Sequence, residues 1–226
     1  MRNFKLLNTT VLVAIFMVAG LVVSSLVTAA PAAEPKQTSW QVVEQGIADL
    51  TAVFEANKTA YETNPQALYD KLDLAMQPYV DFRYISARVM GGRYFRAATP
   101  EQRSSFAAAF QTTLVKTFGQ GLMSFDYREF DLNFQEREAR FEDQDNVALE
   151  VIAKDGQRYP LSFTLRLHNG EWKIINLIVN GINLGLTFNS QFDRAMRENN
   201  RDFNAVIANW SPEQALNELQ EEGEVK

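Results

Sequence analysis

Five arginines lie close together in the sequence, between residues 83 and 103. They are the residues best suited to bind a negatively charged ligand. A guanidinium group forms paired hydrogen bonds with phosphate or carboxylate oxygens, and Asp81 and Glu101 are the only acids among these cations. The stretch therefore predicts a contact for a phosphate group or for an acidic partner protein, although a solvated helix face would have the same composition. The arginines are Arg83, Arg88, Arg93, Arg96 and Arg103.

Residues for catalysis and metal binding are scarce. The chain has no cysteine and one histidine, which excludes disulfides, thiol catalysis, thiolate zinc sites and any site that needs two imidazoles. His168 stands beside the Asn169–Gly170 turn, where a surface position is expected. The acidic run at 142–146 lacks the loop glycine and distal glutamate of an EF-hand, so a solvated turn is expected there. These residues predict no metal site and no cofactor, and they favour a protein that is not an enzyme.

Composition places the chain among ordinary globular proteins. Of its 226 residues, 46% are hydrophobic and 22% are charged, which excludes general disorder. The formal net charge is -6, so the totals lack the basic footprint of a nucleic-acid binder. The chain has 16 phenylalanines but only 3 tryptophans and 7 tyrosines. This excess of large apolar side chains suits either an ordinary core or an apolar binding cavity.

The first thirty residues predict an export signal. Arg2 and Lys5 precede an uncharged apolar run at 11–23, and small residues follow at 29–33. This order is typical of a secretory signal peptide over residues 1–30. An uncleaved membrane anchor is the alternative, because the apolar segment is almost long enough to span a bilayer. The signal predicts export, with the periplasm as the destination.

Start signals along the chain predict helices. Asn64–Pro65 and Thr99–Pro100 each place a proline after a capping residue, while Ser39 and Asp81 can cap two more helices. Gly91–Gly92 is expected to end the helix that Asp81 opens. Apolar residues at helical spacing predict two further helices near the C-terminus, marked by Phe188, Phe192, Met196, Phe203, Val206, Ile207 and Trp210.

Between residues 130 and 179 the apolar residues alternate instead, which predicts strands. Asp155–Gly156 and Asn169–Gly170 are signals for tight hairpins. An extra strand is expected at Phe130–Glu138, and Asn180–Gly181 is expected to end the sheet. The last strand, Trp172–Val179, is apolar on both faces, which indicates either cover on both sides or a bulge.

These elements predict an α+β fold, in which N-terminal and C-terminal helices cover a curved antiparallel sheet of about four strands. No repeat or linker divides the chain. A single domain is therefore expected over residues 35–210, followed by a flexible acidic tail at 211–226.

Several sequence blocks resemble those of the MlaC, or toluene-tolerance (Ttg2-type), family. They keep the order and spacing of that family over most of the chain, from about Val43 to Trp210. The blocks are Pro78–Ser86, Val89–Gly91, Ala98–Arg103, Gly170–Ile174, Asn180–Leu184 and Asn189–Phe192.

The resemblance implies a periplasmic phospholipid carrier. Members of this family hold a glycerophospholipid with its tails in an apolar cavity, between helices and an NTF2-like sheet, and with its head group near solvent. They exchange it between an outer-membrane lipoprotein–porin complex and the MCE-domain subunit of an inner-membrane ABC transporter. This traffic maintains the lipid asymmetry of the outer membrane. Contact with membranes would be transient and made through those complexes.

Burial energetics agree with such a role. Each acyl methylene exposed to water costs about 0.8 kcal/mol, so a two-tailed lipid needs an apolar cavity near or beyond about 1,000 Å³, the usual upper size of a ligand pocket. Eleven residues are candidates for its wall. From the helices these are Val89, Phe106, Phe110, Leu114 and Phe118; from the sheet side they are Leu165, Ile175, Leu177, Ile182, Leu184 and Phe188. Arg83, Arg88 and Arg93 are candidates for contact with the head group or a partner.

Two alternatives stay open. A related carrier could bind a different lipid, such as a hopanoid or a sterol. Similar cone-shaped sheets also host isomerases and dehydratases, which need only an acid and a tyrosine in the pocket. A lipid that stays bound through purification would favour a carrier over an enzyme.

Overall fold

The computed structural model describes residues 37–61, 63–123, 130–135 and 141–212. The predicted signal peptide at 1–30 and nearly all of the predicted tail lie outside these residues. Within the described ranges, no helix has the length and apolar character that crossing a membrane requires.

Among the described residues, four helices precede the sheet and two follow it. The first four are α1 (Ser39–Tyr61), α2 (Pro65–Met76), α3 (Phe82–Ala97) and α4 (Pro100–Met123). The strands are β1 (Phe130–Gln135), β2 (Gln144–Ala153), β3 (Arg158–His168), β4 (Glu171–Val179) and β5 (Ile182–Asn183). The last helices are α5 (Leu184–Glu198) and α6 (Phe203–Ala208).

Local capping explains where most helices begin. The Asn64 side chain accepts a hydrogen bond from the Ala67 N–H at 3.2 Å, and Asp81 accepts one from the Tyr84 N–H at 2.9 Å. Thr99 and Gln102 form a reciprocal capping box, with distances of 3.2 and 3.0 Å. These three predicted starts are confirmed.

The first helix begins differently from the prediction. Thr38 caps it, because its hydroxyl accepts from the Gln41 N–H at 3.2 Å and the Gln41 side chain accepts from the Thr38 N–H at 2.9 Å. Ser39, the predicted cap, instead donates to the buried carboxylate of Asp145 at 2.5 Å. Asp145 belongs to the acidic run that was expected to be a solvated turn, so at this residue the expectation is wrong. The hydrogen bond compensates for its burial and ties α1 to β2.

Helix α3 does not end at Gly91–Gly92 as predicted. Gly91 has φ 70° and ψ 155°, a non-helical conformation that breaks the helix, and the chain then resumes helical turns as far as Ala97. The Asn189 side chain of α5 donates to the Val89 and Arg88 carbonyls at 2.8 and 3.3 Å. An interhelical hydrogen bond therefore satisfies carbonyls that the break leaves free.

The sheet has five antiparallel strands in the order β1-β2-β3-β4-β5, and its edge strands do not pair into a barrel. Asn169–Gly170 and Asn180–Gly181 both have positive φ at each residue, which is the type I′ arrangement of a two-residue hairpin. Asn180–Gly181 therefore adds a short fifth strand instead of ending the sheet. The extra strand predicted at Phe130–Glu138 is present as Phe130–Gln135.

The hairpin at Asp155–Gly156 has a longer loop than the sequence signal indicates. The Gly156 N–H donates to the Ala153 carbonyl at 2.8 Å, and only Gly156 has positive φ. This pattern is a type I turn followed by a left-handed glycine, not the two-residue turn.

A bulge explains the unusual pattern of β4. Thr164 pairs with Asn176 and Leu165 pairs with Ile174, so Ile175 is an extra residue without a partner in β3. The bulge is one of the two explanations that the apolar pattern of Trp172–Val179 allowed.

One core joins the helices to a single face of the sheet. Buried residues of neighbouring strands stand opposite one another, as Val147 and Phe163 do. At the other end of the core, the Phe106 ring meets Phe192 at 4.7 Å and Trp210 at 5.1 Å between centroids. These contacts fix α4 against α5 and the C-terminal segment.

One contact beside the core predicts a pH effect. The Tyr79 hydroxyl donates to the Asp49 carboxylate of α1, and burial, followed by that hydrogen bond and the charge of Asp49, raises the pKa of Tyr79. A group whose pKa is raised by folding stabilises the folded protein at pH values below its unfolded pKa, which for tyrosine is about 10. This contribution to the unfolding free energy is lost as the pH rises above that value. We expect Asp49→Asn to lower the pKa of Tyr79 and to flatten the fall in unfolding free energy above that pH.

Spectrophotometric titration of tyrosine, together with chemical denaturation at several alkaline pH values, measures both effects. Tyr79→Phe is the matched control, because it removes the late-titrating hydroxyl itself. An unchanged titration curve in Asp49→Asn would contradict the prediction.

Candidate functional site

An apolar pocket of about 110 Å³ lies where α4, α5 and β4 meet. Among the described residues that line it, none is charged, and Thr117 and Asn176 are the polar ones. The lining residues are Met76, Val80, Ile85, Phe110, Leu114, Thr117, Phe118, Ile174, Asn176, Leu177, Leu184, Gly185 and Phe188.

Two helices supply most of the wall because their apolar residues recur at helical spacing. Helix α4 presents Phe110, Leu114 and Phe118 from successive turns. Helix α5 presents Leu184 and Phe188, and the Phe188 ring lies edge-on to Phe110 at 5.7 Å between centroids. Three of the four candidate wall residues on α4 therefore face the pocket, and the fourth, Phe106, does not.

The remaining wall comes from β4 and from the segment between α2 and α3. The Ile174 N–H donates to the Tyr79 carbonyl at 2.7 Å, and the Asp81 N–H donates to the Ile174 carbonyl at 3.0 Å. These two bonds hold Val80 beside Ile174 as a parallel bridge. Met76 and Ile85, on either side of this bridge, are thereby brought to the pocket.

Asn176 links two parts of the wall. Its side-chain oxygen accepts from the Gly185 N–H at 3.1 Å, which joins β4 to the start of α5. Thr117 is buried in α4. Because most of the wall is made of aliphatic and aromatic side chains, the pocket suits an apolar chain.

The pocket is smaller than the sequence prediction. Ordinary small-molecule pockets measure about 300–1,000 Å³, and a cavity of about 150 Å³ holds a ligand of the size of benzene, whereas this space measures about 110 Å³. It fits part of one acyl chain. A cavity large enough for a two-tailed lipid therefore stays a prediction and requires the walls to separate.

Six of the eleven predicted wall residues line this pocket, and five do not. The six are Phe110, Leu114, Phe118, Leu177, Leu184 and Phe188. Val89, Phe106 and Leu165 are fully buried in the surrounding core. Ile175 is the unpaired residue of the bulge, and Ile182 packs against the core from β5. The role of these residues in lipid binding stays a prediction.

Sequence patterns missed the wall residues that depend on contacts between distant segments. Met76, Val80 and Ile85 follow no single helical stripe, and the bridge between Val80 and Ile174 brings this segment to β4. Ile174 lies next to Ile175, and the bulge decides which of the two faces the pocket. Large apolar side chains were the criterion for a wall residue. Thr117, Asn176 and Gly185 are polar or small, so they did not meet it.

The arginine stretch does not form one cluster. Arg103 lies over the Phe95 ring at 4.4 Å and donates to the Ala98 carbonyl at 3.0 Å. Arg93 lies 5.3 Å from the centre of the Tyr94 ring, and Arg88 is exposed. Arg83 borders a different, polar groove. Their contact with a head group or partner stays a prediction.

The remaining candidates for chemistry lie outside the apolar pocket. His168 is exposed at its hairpin, as expected. Within the described ranges, no group of three histidine, aspartate or glutamate side chains is arranged to hold a metal ion.

The fold and the pocket define an α+β protein whose helices cover one face of an open antiparallel sheet and leave an uncharged pocket beside β4. A family profile described as MlaC protein matches residues 44–212. The chain belongs to the MlaC family, and the resemblance seen in its sequence is confirmed.

Two curated relatives agree with this assignment. Toluene tolerance protein ttg2D of Pseudomonas putida is 36% identical over 79% of this chain and 82% of its own length. The intermembrane phospholipid transport system binding protein MlaC of Haemophilus influenzae is 26% identical over 66% of this chain and 70% of its own length. Neither of these two names describes an enzyme.

A solved structure confirms the fold. The phospholipid-binding protein from Ralstonia solanacearum, determined in complex with a phospholipid, superposes with a TM-score of 0.66. The match covers 81% of this chain and 99% of that one at 19% sequence identity. The predicted α+β class is thereby confirmed, with five strands in place of about four.

Proposed function

We propose that this protein binds a phospholipid and carries it across the periplasm. The observation that carries the proposal is the uncharged pocket between α4, α5 and β4 in a chain of the MlaC family. The names of the Haemophilus influenzae relative and the Ralstonia solanacearum structure give phospholipid transport and phospholipid binding for those proteins. They support the same ligand here.

The chemistry of the wall suits lipid tails. Acyl chains gain about 0.8 kcal/mol for each methylene removed from water, and a charged wall would oppose that transfer. Side chains such as Met76, Leu114 and Phe118 can change rotamer and so enlarge the space. Recognition of the tails should be loose, because one methylene changes the affinity by only about 1–3 kcal/mol.

The carrier role needs partners that supply and receive the lipid. We assign these to an outer-membrane lipoprotein–porin complex and to the MCE-domain subunit of an inner-membrane ABC transporter, as the family resemblance implies. The sequence has no Walker-type phosphate loop, so energy for directed transport would come from the transporter. This exchange would maintain the lipid asymmetry of the outer membrane.

The decisive experiment is native mass spectrometry of the exported protein, with extraction and identification of the bound lipid. We expect a glycerophospholipid that survives purification. A hopanoid or sterol in its place would favour the alternative lipid carrier. A pocket that is empty both after purification and after incubation with phospholipid vesicles would contradict the proposal.

Filling the pocket provides a variant for the same measurement. Thr117 is buried and lines the pocket, so Thr117→Phe places a ring in the space that a tail would use. We expect at least about a tenfold loss of bound phospholipid, equivalent to about 1.4 kcal/mol. Thr112→Phe is the matched control, because Thr112 is exposed on the same helix. Equal lipid content in the two variants would contradict the assignment of the pocket.

A further inference from the structure

A polar groove of about 450 Å³ lies next to the apolar pocket, and Val80 lines both. The groove runs along the start of α3 and the β3–β4 hairpin. Its charged and titratable side chains are Asp81, Arg83, His168, Glu171 and Lys173. Exposed side chains such as Arg83 and His168 line the groove, whereas the residues that line the apolar pocket are buried or half-buried.

Ion pairs neutralise both acids of the groove. Asp81 accepts from Arg166 at 3.3 Å and also caps α3. Glu171 pairs with Lys173 at 2.9 Å, and the Lys173 ammonium group also donates to the Pro78 carbonyl. Both carboxylates therefore already have cationic partners.

Arg83 is different from these residues. It is exposed, and within the described residues its guanidinium has neither a hydrogen bond nor an ion pair. With the other formal charges paired, the groove retains one positive charge, supplied by a group that forms paired hydrogen bonds with phosphate oxygens. The His168 imidazole at the same groove can donate a further hydrogen bond.

We propose that this groove binds the phosphate group of the lipid and that Arg83 is its principal anion contact. The inference rests on the proposed function and deepens it. A phospholipid has its phosphate and the first carbons of its tails within a few bonds of each other. With a tail in the apolar pocket and the chain passing Val80, the phosphate reaches the groove. Arg83 thereby selects phosphate-bearing lipids over neutral diacylglycerols of equal tail length.

The test compares three probes that separate the phosphate from the tails. These are dihexanoyl phosphatidylglycerol below its critical micelle concentration, dihexanoylglycerol, and glycerol 3-phosphate. Each is titrated into delipidated protein by calorimetry at low and at moderate salt. We expect the phosphorylated lipid to bind about tenfold more tightly than dihexanoylglycerol, as charge-assisted hydrogen bonds allow, and glycerol 3-phosphate to bind far more weakly. The preference should weaken with added salt because the groove is exposed.

Arg83→Gln is expected to remove most of the preference for the phosphorylated lipid and to leave the binding of dihexanoylglycerol unchanged. Arg96→Gln is the matched control: Arg96 is exposed on the same helix and lies outside the groove. A preference that persists in Arg83→Gln, or falls equally in both variants, would overturn the inference. Binding of glycerol 3-phosphate as tightly as the lipid would also overturn it, in favour of a site for free phosphate. Failure of both lipids to bind the wild-type protein would instead contradict the proposed function.

Discussion

Leu114→Asp is expected to abolish phospholipid binding while the protein still folds. Leu114 lines the pocket from α4, so a carboxylate there would have to lose its hydration before a tail could occupy the space. A buried, unpaired charge costs several kcal/mol. We expect a loss of affinity of at least about a hundredfold, equivalent to about 3 kcal/mol.

The choice of Leu114 follows from its exposure. It is half-buried, so in the empty protein the new carboxylate can reach water and the native fold can persist. Phe110 faces the same pocket but is fully buried, and a charge at that position would unfold the core. Thr112→Asp places the same charge two residues away on the exposed part of α4. This control should retain wild-type binding.

Lipid content by native mass spectrometry, together with circular dichroism for folding, measures the outcome. Leu114→Asp protein that is folded and still carries lipid at the wild-type level would show that the tails lie elsewhere. Loss of lipid in Thr112→Asp as well would indicate a general effect of charge on binding, not a blocked pocket.

The sequence predicts correctly those parts of the fold that depend on interactions between residues close together in the chain. A capping box such as Thr99–Gln102 closes within one helical turn, and Asn169–Gly170 selects a type I′ hairpin from its own backbone preferences. The stripe along α4 follows from helical geometry alone. For the same reason it supplied three of the six candidate residues that line the pocket, Phe110, Leu114 and Phe118.

The parts that sequence could not predict depend on which distant segments meet. Thr38 and Ser39 are both good capping residues, and the presence of Asp145 in the folded chain gives Ser39 a different partner. Val80 reaches the pocket only through its bridge to Ile174. The sequence pattern of a single segment cannot show either contact. The helical residues of the wall were therefore predicted more completely than those of the sheet and of the 76–85 segment.

In the proposed binding mode, the apolar pocket and the polar groove recognise different parts of the lipid. The pocket would gain affinity from each methylene that it buries, and the groove would add a directional contact for one charged group. Val80 joins the two sites because the 76–85 segment lies across β4. Sequence analysis did not predict this connection. In the proposed complex, the junction between the tails and the head group of the lipid would lie beside Val80.

The break in α3 predicts the second large effect. Gly91 has φ 70° and ψ 155°, a conformation that is nearly restricted to glycine and costs other residues about 1–3 kcal/mol. A Cβ atom at Gly91 would also lie 3.0 Å from the Asn189 amide nitrogen that bonds the freed carbonyls. Gly91→Ala should therefore lose about 2–3 kcal/mol of unfolding free energy, and at about 2–4 °C per kcal/mol its Tm should fall by about 4–12 °C.

Gly92→Ala is a closely matched control for this effect. Gly92 lies next to Gly91 and is exposed, and a Cβ atom there meets only the flexible end of Arg96, at 3.1 Å. Alanine is also a better helix former by about 1 kcal/mol, so Gly92→Ala should be neutral or slightly stabilising. Thermal and urea denaturation of the two variants measure the difference. Equal Tm values would show that the backbone at Gly91 can adopt a conformation open to other residues, and that the break in α3 does not depend on glycine.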